Sequence, residues 1–165
     1  NIHRPKRPSS TWVRITALGS YREVGRACHL VTTNESRVMV DVGVNIASDT
    51  DPMPYFTAPE ALPLEKLDAV VLTHSHLDHA GMLPVLFKYG YRGPVYCTPP
   101  TRDLMLLLQT DYIKVGGAEG KRPAYDMEDI RTCMKHVVDV EWGETTDITP
   151  DIKLTMSNAG HILGA

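Results

Sequence analysis

Apolar positions in this chain fall first into short alternating runs and later into longer stretches with helical spacing. Residues 12–18 (WVRITAL), 28–32 (CHLVT) and 37–42 (RVMVDV) are each of strand length and rich in β-formers. The polar TNES between the second and third is turn material, so a hairpin is predicted there and the chain opens on antiparallel strands. Residues 43–66 hold Pro52, Pro54, Pro59 and Pro63 with no sustained period and read as a long ordered loop with at most one helical turn at 63–66. AVVLT at 69–73 is apolar throughout, the pattern of a central strand covered on both faces. Helices are predicted over 79–89, 100–115 and 125–136, and strands over 94–97, 137–142 and 152–159. The leucine run in DLMLLL (103–108) is assigned to the core, and GGAEG (116–120) to the end of a helix rather than to a nucleotide loop. Strands alternating with helices, without an internal repeat, give an α/β or α+β fold with mixed strand directions.

Composition narrows the function classes. With 165 residues, 42% of them hydrophobic, the chain fits one domain with a real core. It has no apolar run near the roughly 20 residues that span a bilayer, and the opening NIHRPKRPSSTW lacks the apolar stretch of a signal peptide, so a cytoplasmic location is expected. Cys28, Cys97 and Cys133 are odd in number and form no CxxC pair, which argues against a disulfide framework and against a zinc ribbon. The net charge of −3 is unevenly spread: Arg4, Lys6, Arg7, Arg14, Arg22 and Arg26 against Glu23 make residues 1–26 +5 and leave −8 for the rest. Such a basic leader is suited to touching a polyanion, and equally to serving as a solvated linker.

The densest chemistry lies in LTHSHLDHAG, residues 72–81. His74, His76, Asp78 and His79 follow directly on the predicted buried strand, where open α/β sheets place their ligands. Histidines at i and i+2 in a turning segment can converge on one ion, while Asp78 and His79, entering the next helix, would face a second position. Imidazole and carboxylate suit zinc, and also iron or manganese. Neither a surface accident nor a helix-start hydrogen-bond network explains both the HxHxDH spacing and its place after a buried strand. Gly19 and Gly25 flank SYREV between two strands; they fit a phosphate-cradling loop or simply a hairpin connection. His3, His29 and His136 have no ligand-like neighbours in sequence.

HSHLDH resembles the second motif of the metallo-β-lactamase superfamily, VMVDVG with Asp41 its first, and NAGHILGA with His161 its third, all in the family's order. More narrowly, TALGSYREVGRACHLV resembles the β-CASP ribonucleases, especially archaeal homologues of the nuclease subunit of the cleavage and polyadenylation specificity factor. The likeness runs from Trp12 onward and includes PPTRDLMLLLQTDYIKV. It implies an αββα metallo-β-lactamase fold. Residues 12–165 would form the N-terminal part of that domain, and residues 1–11 a basic leader or the end of a preceding KH-type domain.

What the resemblance implies for the site is a pair of zinc ions. His74, His76 and His161 would hold one, Asp78 and His79 would contribute to the other and to catalysis, and Asp41 would stand behind the ligands and hold the histidine loop. The reaction would be hydrolysis of RNA phosphodiesters in transcript 3'-end processing, termination or decay, with RNA as partner, a homodimer, and RNA polymerase or other processing factors as further partners. The aspartate that bridges the two metals in the family, and the β-CASP domain itself, are not among these residues, so the 165-residue chain by itself is expected to be inactive. Two other readings stand beside this one. A small-molecule thioesterase or lactonase of the same superfamily is disfavoured by the EVGR loop, and a non-catalytic scaffold subunit by the intact HxHxDH.

Overall fold

Strand β1 (Val13–Gly19) turns back into β2 (Cys28–Thr33), and β2 into β3 (Arg37–Val40), each pair antiparallel. In this computed structural model, which describes residues 11–165, β4 (Ala69–Val71), β5 (Val95–Cys97) and β6 (Val137–Asp139) then join in parallel, so the sheet runs β1-β2-β3-β4-β5-β6. The charged positions Arg4, Lys6 and Arg7 of the leader lie outside the described residues. A separate hairpin pairs β7 (Thr145–Asp147) with β8 (Lys153–Thr155). The crossovers are α1 (Leu77–Ala80) with α2 (Leu83–Lys88), and α3 (Pro99–Ala118) with α4 (Met127–Met134). This is the mixed α/β architecture expected, with β4 as the buried central strand. No helix among the described residues is long and apolar enough to cross a membrane.

The two-residue period of the strands separates two apolar layers. Met39, Val70 and Val95 point to the helices and join Leu30, Leu72, Leu83, Leu86, Phe87, Met105 and Ile130 in the main core. Val38, Ala69 and Val71 point the other way, onto Ile148 and the half-buried Ile152, Leu154 and Met156 of the β7–β8 hairpin. Toward β1 that second face is uncovered, with Val13 and Ile15 65% and 68% exposed.

Several sequence expectations are corrected. The helix expected at 79–89 is two helices, α1 starting earlier at Leu77 and ending at Ala80, with α2 restarting where Pro84 sits in a first turn that needs no amide donor. Tyr125, 1% exposed, donates its hydroxyl to the Gly81 carbonyl at the break. Tyr125→Phe leaves that buried acceptor unpaired and is expected to cost about 1–2 kcal/mol in urea unfolding. Helix α3 extends through Gly116 and Gly117 to Ala118, and Gly120, at φ +73°, follows its end. The leucines of DLMLLL are not core: the buried positions of α3 are Thr101, Met105 and Gln109, four residues apart, while Leu106 and Leu107 face outward. Strand β7 was not anticipated, because TTD carries no apolar alternation.

Candidate metal centre

Three backbone segments meet at the top of β3 and β4 and hold the histidine loop. Val42 and Val44 donate backbone amides to the carbonyls of His79 and Leu77, and Ala27 donates to that of Asp78. Gly43 lies so close that a Cβ there would stand 1.6 Å from the Asp78 carbonyl oxygen. Below the loop, the fully buried Gln109 donates from Nε2 to the Ala80 carbonyl, 2.8 Å away, and satisfies one of the carbonyls left open at the end of α1. The loop before β2 is fixed in the same manner. Arg26, 6% exposed, binds Glu23 through Nε and Nη2 at 2.5 and 3.1 Å, the Asp51 carboxylate at 2.7 Å and the Met53 carbonyl at 3.1 Å. Gly19 and Gly25 thus serve the β1–β2 connection, and Val24 and Gly25 also line a cleft shared with His76, Asp78 and Leu108.

His161 arrives from the far end of the chain. Its loop is closed by Ala159 N donating to the Ala165 carbonyl and Ala165 N to that of Ile162. Thr98 Oγ1, at the start of α3, donates to the Gly164 carbonyl at 2.7 Å. Gly164 has φ +86°, and a Cβ on it would meet Thr98 Oγ1 at 2.8 Å, so both its conformation and its space call for glycine. Neither Gly43 nor Gly164 was singled out in the sequence; each follows within three residues of a motif residue, and that adjacency was the available signal.

The result is a three-imidazole cluster. The ligand atoms of His74, His76 and His161 all lie within 4.8 Å of one another. His161 Nε2 stands 3.3 Å from His76 Nδ1, and His74 Nε2 is buried without a hydrogen-bond partner. Two nitrogens bound at ~2.05 Å to one tetrahedral ion are about 3.3 Å apart. An orphaned buried nitrogen beside a facing pair at that separation fits a divalent cation of the zinc type, in a set of three nitrogens that leaves a position open. The His79 ring lies against that of His74, tilted by 44° with centroids 4.2 Å apart, and its Nε2 lies 3.5 Å from Asp78 Oδ2, so Asp78 and His79 form a neighbouring pair outside the triad.

Asp41 lies behind these rings. It is 3% exposed and takes φ +59°, a left-handed conformation that aspartate tolerates better than most residues. That turn ends β3 and directs the carboxylate across to the end of β4. Oδ1 accepts from Thr73 N at 2.8 Å, and Oδ2 accepts from Thr73 Oγ1 and from His79 Nδ1, each at 2.8 Å. The hydrogen bond to Asp41 raises the pKa of His79, whereas burial, aided by the neighbouring His79, lowers that of His74. A histidine kept neutral is a ready ligand. His29, by contrast, meets Tyr21 among the described residues, and His136 bonds the Thr132 carbonyl and packs against the Phe87 ring, so neither joins the cluster.

Residues 30–165 match the metallo-beta-lactamase superfamily domain. Over 164 residues, 99% of this chain, the sequence is 56% identical to a Methanosarcina mazei protein called transcription termination factor FttA. It is 52% identical over 172 residues to the Pyrococcus abyssi protein of the same name, covering 100% of this chain. The chain spans 26% of the length of each relative. Among solved structures, Rm3 metallo-beta-lactamase shares the fold with a TM-score of 0.53 over 87% of this chain and 48% of that one, at 20% identity. The motif order, the sheet and the histidine cluster at its edge therefore agree with the sequence match, and the chain belongs to the metallo-β-lactamase superfamily.

Proposed function

We propose that this chain forms the metal-binding part of a β-CASP-type, zinc-dependent endoribonuclease that cuts transcripts in termination or 3'-end formation. The carrying observation is the convergence of His74, His76 and His161 beside the Asp78–His79 pair. The name of its relatives, transcription termination factor, supports RNA as the substrate and the transcription apparatus as the setting. In this reading residues 12–165 are the N-terminal part of a larger hydrolase domain, and residues 1–11 are a basic leader or the end of a preceding domain.

The geometry supports a division of labour. His74, His76 and His161 would hold a divalent ion, which would supply Lewis-acid chemistry to a phosphodiester and to water. Asp78 and His79 offer a carboxylate and an imidazole to a second cation, with further ligands drawn from the rest of the full-length protein. Asp41 keeps the His79 ring oriented. The cleft bounded by Val24, Gly25, Leu108, His76 and Asp78 opens beside the centre and would be the substrate's approach.

The test is cleavage of a labelled single-stranded RNA by the full-length protein, before and after chelation and after zinc is restored. Loss on chelation with recovery on zinc is expected. Undiminished cleavage in chelator would overturn the reading, as would zinc-dependent hydrolysis of a thioester or lactone with no action on RNA.

A further inference from the structure

The histidine that most needs orientation is His74, because its Nε2 is buried and can be useful only with its lone pair free. Its other ring nitrogen, Nδ1, lies 2.9 Å from Thr73 Oγ1, and that hydroxyl lies 2.8 Å from Asp41 Oδ2. Proton counting decides the direction of this chain. Thr73 Oγ1 has one hydrogen, and an ionised carboxylate only accepts. Asp41 accepts from Thr73 N on Oδ1 and from His79 Nδ1 on Oδ2, so its carboxylate faces donors on both oxygens. The Thr73 hydrogen therefore points to Asp41, and the hydroxyl oxygen is left to accept a proton from His74 Nδ1. The reverse arrangement would place oxygen lone pairs of Thr73 and Asp41 against each other at 2.8 Å.

We propose that Thr73 is a positioning residue that relays Asp41 to His74 and locks His74 in its Nδ1–H tautomer, with the Nε2 lone pair facing the metal centre. One carboxylate then orients two ligands of different sites, His79 directly and His74 through the Thr73 hydroxyl. This deepens the metal-centre reading and rests on it for its purpose, while the tautomer itself is a property of the metal-free chain. Thr73 is exposed at the end of β4, so the relay is separable from core packing: Thr73→Val keeps the shape and removes only the hydroxyl.

The experiment is nitrogen-15 NMR of the histidine rings in metal-free protein at about pH 8, where free imidazole is neutral, together with a zinc titration. Native protein is expected to show His74 and His79 both protonated on Nδ1. Thr73→Val should move His74 toward the Nε2–H form, leave His79 as it was, and weaken zinc binding roughly 10- to 100-fold, as losses of such outer partners do; Thr73→Ser should restore both readings. An Nε2–H His74 in the native protein, or a Thr73→Val protein with unchanged tautomer and zinc affinity, would overturn the proposal. A shifted tautomer with weakened zinc binding in a protein that never cuts RNA would leave the relay standing and remove the nuclease reading instead.

Discussion

Replacing His76 or Asp78 by alanine in the full-length protein should reduce RNA cleavage on the order of a thousandfold or more while changing RNA affinity by no more than about threefold. Metal-assisted activation is worth several kcal/mol of barrier, and each ~1.4 kcal/mol is a factor of ten in rate. Affinity for a polyanion has another origin, the neutralisation of phosphates by Lys and Arg. The body of this chain is poorly supplied for that, since residues 27–165 carry −8. Single-turnover cleavage and filter binding on the same RNA separate the two. If both fell together, His76 and Asp78 would belong to the binding surface or to the stability of the loop, and the division of roles above would be wrong.

Gly43→Ala should be the most damaging single methyl group in the chain. The added carbon would meet the Asp78 carbonyl oxygen at 1.6 Å, that carbonyl's own carbon at 2.2 Å, and Ala27 N at 2.8 Å. None of these is the yielding end of a side chain. Either the histidine loop lifts away from residues 42–44, losing the amide bonds from Val42 and Val44, or the fold fails. A destabilisation of about 3 kcal/mol or more is expected, measured by chemical denaturation, and any folded fraction should bind zinc weakly. Gly116→Ala is the control. Nothing lies within 4 Å of a Cβ there and the residue is inside α3, so the same change should stabilise by about 0.5–1 kcal/mol. Equal losses at the two positions would mean that close approach at the loop is not what Gly43 provides.

The parts of this molecule that were legible in the sequence are those governed by short-range pattern. Strands β1 to β3 follow short β-rich runs and β4 a continuous apolar one, and the spacing in HSHLDH pointed to the convergence of His74 and His76. What was missed depends on partners distant in sequence. Helix α3 looked like core because a leucine run satisfies every face at once; the inward face is instead chosen by neighbours, which take Thr101, Met105 and Gln109 and leave Leu107 63% exposed. Gln109 faces inward because a carbonyl at the end of α1 needs a donor, a requirement written about thirty residues earlier in the chain. Thr73 was read only as the last residue of a strand. Its role required knowing that the backbone of Asp41 turns left-handed and brings a carboxylate alongside.

His161 reaches His76 across 85 residues of chain. Closing a loop of that length in the unfolded chain costs more entropy than closing a short one, so a crosslink there would restrict chiefly the unfolded ensemble, where these two side chains rarely meet. A cation held by all three imidazoles would therefore bind the folded chain far better than the unfolded one, and by mass action would raise its melting temperature with concentration. The same ion would act as a thermodynamic rivet, tying the third motif to the end of the fourth strand and reporting, through its own occupancy, whether everything between the two is folded.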